Sequence, residues 1–324
     1  MHARTVGQAG ETEVLRRILA RLAPSTAEVG PGDDAAVLRV AGGRVVASTD
    51  TLVHGPDFRL AWSSGHDLGW KAAAVNLADI AAMGARPIAL LVALTMPDDT
   101  PVAFVEDLAD GLRQACLSLA PGCAVEGGDL AASDTLTIAV TALGTLDGPA
   151  VRRSGARPGD IVALAGHAGL AAHGLQILFE RFRDVDGHAV PVDPAVLTPA
   201  ERRAVAAQVR PEPPIALGHA AAHQGATAMM DVSDGLVLDA TRLAIASRVC
   251  LELATAALGG DPLALIGGED HALLATFPRD AVPAGFRAIG RVTPHGAHPV
   301  LVDGEAPTCR GGWDPYSDWD QARG

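Results

Sequence analysis

Short apolar runs of strand composition alternate with longer runs of helical spacing along most of the chain, so it must be built from both kinds of element. ETEVLRRILARL has helical spacing, GGRVVASTD reads as a strand ending in polar residues, and 67–83 reads as a long Ala-rich helix. PIALLVALTM and TLTIAVTALGTL are strand candidates on either side of a helix near 101–119. Further on, DIVALAG is a strand by composition and HAGLAAHGLQILFERF becomes helical. A Pro-rich connection at 191–214 carries a short helix at 199–209. ATAMMDVSDGLVLDATRLAIASR reads as strand, polar turn and helix, and GGEDHALLATFP as two glycines, two acids and a strand.

A chain of 324 residues exceeds what one core usually holds, which makes two domains the default. The segment DGPAVRRSGARPGD, 147–160, is rich in turn formers and marks a domain junction or a long functional loop. With 48% hydrophobic and 19% charged residues the composition is globular. A formal charge of −13 argues against non-specific binding to nucleic acid or an anionic membrane, so an anionic substrate needs a metal or a local basic group. No signal-like segment opens the sequence and the longest apolar stretch, IALLVAL, is too short to span a bilayer; the expectation is a cytoplasmic protein. Cys116, Cys123, Cys250 and Cys309 lack the close pairing of a zinc site and read as ordinary thiols.

The carboxylates recur at Asp33-Asp34 in GPGDDAAVL, at Asp50 after Ser48-Thr49, at Asp129 in EGGDL, at Asp231 and Asp234 in DVSDGL, and at Glu269-Asp270 in GGEDH. Asp79 stands inside an apolar helical pattern with Lys71, the chain's only lysine, eight residues earlier on nearly the same stripe. Lys71 either holds a phosphate or pairs with Asp79. Any one of these motifs alone reads as a turn or an N-cap. Together they are the oxygen-rich set that Mg²⁺ and phosphate use, with glycines that let backbone N–H groups approach an anion and a helix opening at SDGL. A P-loop and the kinase catalytic-loop signatures are absent, and GHAGLAAHG is only a weak phosphate-loop candidate, equally readable as helix packing.

GPGDDAAVL, STDTLV, GWKAAAVNLADIAAMGARP, EGGD, RRSGARPGD, MMDVSDGL and GGEDHALL occur in an order and spacing that resembles the thiamine-monophosphate kinase family, within the superfamily of aminoimidazole ribonucleotide synthetase. The resemblance implies an α+β fold of two domains. An N-terminal β-sheet domain, 1–148, binds ATP and Mg²⁺ and dimerises; a C-terminal domain, 149–324, with a mixed sheet flanked by helices, completes the active site. The implied reaction is direct transfer of the ATP γ-phosphoryl group to thiamine monophosphate by a homodimer. By matching motif, Asp34, Ser48, Thr49, Asp50, Asp79, Asp129, Asp231 and Asp234 are implied Mg²⁺ ligands, with Asp50, Asp129 and Asp231 central to catalysis. Gly128, Asp129, Arg153 and Ser233 are implied contacts to ATP, and Asp57, Glu269 and Trp313 to the acceptor.

The chain departs from the family pattern twice: Asp57 stands where relatives carry a His before the Phe, and Leu130-Ala131-Ala132 follows GGD in place of Thr-Thr-Arg. Two alternatives stay open on the sequence alone. One is a related ATP-dependent enzyme with another acceptor, and the other is a Mg-nucleotide-binding protein without turnover.

Overall fold

The structure, a computed structural model, describes residues 4–22, 24–28, 38–40, 43–308 and 311–313. The turn with Asp33 and the expected ligand Asp34 lies outside the described residues, as does Cys309.

Two sheets organise the chain. The first contains β1 (Val45–Val53), β2 (Arg86–Met96), β3 (Ala124–Ala132) and β4 (Thr137–Thr145), in the order β1-β4-β2-β3. β4 runs antiparallel to β1 and β2. β2 and β3 are parallel and joined through helix α4 (Val102–Leu119), the crossover that a parallel pair requires. Helices α1 (Val6–Ala9) and α2 (Glu11–Arg21) precede this sheet, and α2 reaches α4 through an ion pair from Arg21 to Asp110 at 2.7 Å.

The second sheet contains β5 (Ile161–Ala165), β6 (Ala228–Val232), β7 (Val249–Leu253), β8 (Ala272–Phe277), β9 (Arg287–Pro294) and β10 (Val300–Val302), in the order β10-β7-β9-β5-β8-β6. It is mixed: β10 is parallel to β7 and the other neighbours are antiparallel. Helices α5 (Leu170–Arg181), α6 (Pro199–Val209), α7 (Ile215–His223), α8 (Leu236–Ser247) and α9 (Leu263–Ile266) connect its strands. This is the expected α+β architecture.

Helix α3 (Gly65–Ala82) lies between the two halves. Its Ala-rich sequence is buried on nearly every side, as expected of a helix without a polar face. Ser64 starts it with a capping box: the Ser64 hydroxyl accepts from Asp67 N–H while Asp67 Oδ2 accepts from Ser64 N–H at 2.9 Å. Glycines let α3 and α4 touch backbone to backbone. A Cβ on Gly69 would sit 1.9 Å from Leu108 O, and one on Gly111 would sit 2.1 Å from His66 O. The far end of α3 packs on α7, where a Cβ on Gly218 would meet Ala81 O at 2.2 Å.

The elements read from the sequence are present, but β3, β7, β9 and β10 are strands that the reading left unplaced. In β3 the Gly127-Gly128 pair hides the strand signal, because glycine has no side chain to pack on a sheet and marks bulges; a bulge does sit beside Gly127 in the pairing with β2. Away from α3, the first sheet shows Val45, Thr49, Thr51, Ala93 and Asp129 on a face that no described element covers. No helix among the described residues is long and apolar enough to cross a membrane.

The glycine seam gives a direct test. Gly69→Ala should destabilise the protein by roughly 1–3 kcal/mol in denaturant titrations, because the neighbour is backbone and cannot rotate away. Gly148→Ala, with open space at its Cβ, should stay within about 0.5 kcal/mol of the parent.

Candidate active site

Alternation along β1 presents Ser48 and Asp50 to α3 and turns Thr49 to the opposite face. There the Thr49 hydroxyl donates to Val140 O at 3.0 Å and accepts from Thr141 at 3.2 Å. Helix α3 meets Ser48 and Asp50 with Asn76 and Asp79, three residues apart on one stripe. Asn76 Oδ1 accepts from Asp50 N–H at 3.1 Å, and Ser48 Oγ donates to Asp79 Oδ2 at 2.5 Å. Asn76 escaped the sequence reading, although its i, i+3 relation to Asp79 was the available signal.

Lys71 does not pair with Asp79. Eight residues of helix separate them by about 12 Å along the axis. Lys71 is buried, forms an ion pair with Glu269, and donates to Gln208 O at 3.3 Å. Glu269 is therefore tied to the first half of the chain. Its neighbour Asp270 turns the other way and accepts from Ala171 N–H at 3.0 Å, at the start of α5. That carboxylate occupies the helix end that GHAGLAAHG offered to a phosphate. Gly169 there packs against Ala264, whose backbone N would lie 2.7 Å from an added Cβ, so helix packing explains the segment.

The second sheet supplies Asp231 at the end of β6 and the turn that follows. Asp239, fully buried in the first turn of α8, accepts from the N–H groups of Ser233, Asp234 and Gly235 at 3.1, 3.0 and 3.2 Å. The N–H groups expected to face an anion at SDGL are thus held by an internal carboxylate. Arg242 donates to Asp234 at 2.5 Å and to Asp239 at 2.6 Å. Gly268 lets the GGED loop press on this turn, since its Cβ would lie 2.1 Å from Ser233 O. His271 takes the left-handed conformation (φ +49°), and its Nδ1 lies 3.2 Å from Asp231 Oδ2. Neither Asp239 nor His271 was given a role from the sequence.

Carboxylates from the two halves lie near enough to perturb one another. Burial raises the pKa of Asp50, and Asp231 and Asp234 add to that rise, while His271 and a hydrogen bond to Asp79 oppose it. Burial and Asp231 push Asp79 up to about 7, with Asp50 adding and the Ser48 hydroxyl opposing. At His271 burial opposes charge, but Asp231 and Glu269 outweigh it and hold the imidazole above its ordinary value. At Glu269 burial likewise opposes charge, and Lys71 and His271 outweigh it, holding the carboxyl below its usual range. Hard oxygen donors of this kind suit a divalent cation such as Mg²⁺, although Asp50, Asp79, Asp231 and Asp234 do not form one of the close-set ligand groups found among the described residues, and Arg242 and His271 already pair with Asp234 and Asp231.

Beside this cluster opens a cavity of about 830 Å³ between residues 55–63 and α3 on one side and α5, the 233–234 turn, the GGED loop and 311–313 on the other. Asp57, Ser233, Asp234, Glu269 and Trp313 all line it, so the three expected acceptor residues share one cavity. Trp313 is fixed by its N–H donating to Asp234 O at 2.9 Å. Asp57 Oδ2 accepts from Val53 N–H at 2.7 Å, and burial raises the Asp57 pKa, with Glu269 and Asp50 adding. His54 stacks on Phe58, ring centres 5.6 Å apart, and is not part of the lining. Arg59 lies 5.3 Å from the ring centre of Trp62 and 5.1 Å from that of Phe179, joining the two halves of the wall.

Four expected residues stand apart. Gly128 and Asp129 lie on β3, the edge opposite β1. The cross-sheet row Asp50, Val140, Val92, Gly128 puts three strand spacings, about 14 Å, between Asp50 and Gly128. Asp129 falls in the next row, with Thr51, and so shares the uncovered face with Thr49. Arg153 is exposed, and its carbonyl accepts from Ser247 Oγ at 2.6 Å, at the end of α8 about 18 Å from the SDG turn.

The Asp79 shift predicts a pH dependence. An acid whose pKa rises on folding binds its proton more tightly when folded, so its contribution to stability is complete below the unfolded value of 3.8 and is lost as pH climbs through about 7. The Tm of the metal-free protein should fall over that window, and Asp79→Asn should flatten the slope.

The AIR synthase related protein, N-terminal domain, profile matches residues 32–146. The thiamine-monophosphate kinase of Mycobacterium tuberculosis is 41% identical over 334 residues, covering 98% of this chain and 94% of that protein. The thiamine-monophosphate kinase of Corynebacterium glutamicum is 39% identical, covering 96% and 95%. Among solved structures, AaThiL complexed with AMPPCP and TMP superposes with a TM-score of 0.74 at 30% identity, covering 96% of this chain and 98% of that one. Similarity of this extent, running nearly end to end, means that the chain belongs to the thiamine-monophosphate kinase family.

Proposed function

We propose that this protein is a thiamine-monophosphate kinase, an ATP-dependent phosphotransferase that moves the γ-phosphoryl group of ATP to the phosphate of thiamine monophosphate, giving thiamine diphosphate and ADP. The observation that carries the reading is the junction of the Asp50, Asp79, Asp231 and Asp234 cluster with a cavity lined by Asp57, Glu269 and Trp313, in a chain of this family. Phosphoryl transfer between phosphate oxygens asks little covalent chemistry of a protein, and positioning with charge neutralisation does most of the work. Ser48, Asp50, Asp79, Asp231 and Asp234 are the residues that would hold Mg²⁺; Thr49 and Asp129 stand on the other face of the first sheet, and Asp34 lies outside the described residues. Mg²⁺ held by these residues would supply neutralisation of phosphate charge.

The remaining tasks fall to the chain itself. Asn76 fixes Asp50 through its backbone N–H, Ser48 fixes Asp79, and Asp239 shapes the turn that carries Ser233 and Asp234. The Lys71–Glu269 pair sets one wall of the cavity, where Glu269 suits a cationic or amino-bearing heterocycle and Trp313 offers a stacking face. A backbone hydrogen bond and a raised pKa temper the charge of Asp57 toward a phosphate.

ATP contacts are assigned to Gly128, Asp129, Arg153 and Ser233, in a cytoplasmic homodimer of two-domain chains divided as 1–148 and 149–324. The separation of Asp129 from Asp50 and the uncovered face that Asp129 shares with Thr49 support the dimer, since a second copy can pack on that face.

Purified protein with Mg-ATP and thiamine monophosphate should yield thiamine diphosphate and ADP in equal amounts by chromatography, with no product when thiamine replaces the acceptor. ATP binding without that product would point to another acceptor. Asp50→Asn should lower kcat by at least about a hundredfold while the protein remains folded. Mixing Asp50→Asn with Asp129→Asn subunits should restore part of the activity, because one hybrid site regains both carboxylates; failure to complement would place both in one chain's site.

A further inference from the structure

We propose that Asp147, His219 and His223 form a second metal site, for Zn²⁺ or a similar transition metal, that staples the end of the first sheet to helix α7. The ligand atoms of these three residues lie within 4.8 Å of one another. His219 and His223 are four residues apart on α7, on one face, with ring centres 4.2 Å apart. Asp147 follows β4, so the ligands come from both halves of the chain.

The hydrogen bonds already set the imidazoles up for ligation. His223 Nδ1 lies 3.0 Å from His219 O, which places its proton there and leaves Nε2 with a lone pair. Ligating histidines are commonly oriented in this way, through a carbonyl on the second nitrogen. Arg86 Nε donates to His219 Nε2 at 2.9 Å, and since an arginine nitrogen only donates, Nε2 of His219 is an acceptor too. Asp147 Oδ2 lies 3.1 Å from the same Nε2 and 3.4 Å from Arg86 Nε.

Two lone-pair atoms therefore converge on one cationic group. Their separation approaches the roughly 3.3 Å edge of a tetrahedron with zinc-length bonds. Arg86 acts as a stand-in cation: its side chain is 60% exposed and can swing into solvent when a metal takes its place. Imidazole nitrogens favour Zn²⁺, Co²⁺ or Ni²⁺ over Mg²⁺, which separates this site chemically from the carboxylate cluster. Close packing of α7 on α3 at Gly218 fixes the helix that carries both histidines.

The test is a Co²⁺ titration of chelator-treated protein in excess Mg²⁺, read by visible absorption, with Zn²⁺ as competitor. The expected result is one equivalent of Co²⁺ per chain with imidazole-type bands, displaced by Zn²⁺, and a rise in Tm on Zn²⁺ binding. His219→Gln/His223→Gln should lose the bands while keeping kinase turnover, which shows that the variant is folded. Asp50→Asn should keep them. Arg86→Ala should bind about fivefold more tightly, because the competing cation is gone. Absence of Co²⁺ binding in the parent, unchanged binding in the double variant, or loss of the bands in Asp50→Asn would each overturn the proposal.

Discussion

Polar groups on a helix with almost no exposed side must find partners, and the inner turns of α3 carry Lys71, Asn76 and Asp79. Each is answered from a different place. Lys71 takes Glu269 from the second half, Asn76 takes the backbone of β1 at Asp50, and Asp79 takes Ser48. These contacts set the offset of β1 against α3 and hold the GGED loop over the helix. The glycine seam with α4 lets α3 lie deep enough for all three to be made. A shift of the helix by one residue would leave two or three buried polar groups without partners, so the geometry is sharply determined.

The same logic governs the SDG turn. Three consecutive N–H groups at a helix start could serve an external anion, but Asp239 satisfies them from inside, and Arg242 balances Asp239 and Asp234 together. The turn is thereby stiff before any ligand arrives. Its outward-facing atoms, the Ser233 and Asp234 side chains, are left to the cavity. Preorganisation of this kind suits phosphoryl transfer, where positioning dominates the chemistry.

Asp57 illustrates how context changes the meaning of a departure from the family pattern. On paper a carboxylate in place of a histidine repels a phosphate. In the fold, one oxygen is held by Val53 N–H, burial disfavours its charge, and Lys71 lies across the same cavity.

The alternation of apolar periods, the Ala-rich helix and the acid-bearing turns were legible in the sequence, because strand and helix periodicity and turn chemistry are local properties. Family motifs in order carried the fold and the names of the site residues. What the sequence could not reveal was which acids meet. Asp50 and Asp79 stand on the side of the first sheet where Asp231 from the second half perturbs them, whereas Asp129 and Thr49 turn to the other face of the first sheet. Register and strand order decide that, and neither is written locally. Lys71 shows the same limit: helical spacing offered Asp79 as its partner, and tertiary packing supplied Glu269, because a buried charge pairs with the nearest opposite charge in space, whatever its distance along the chain.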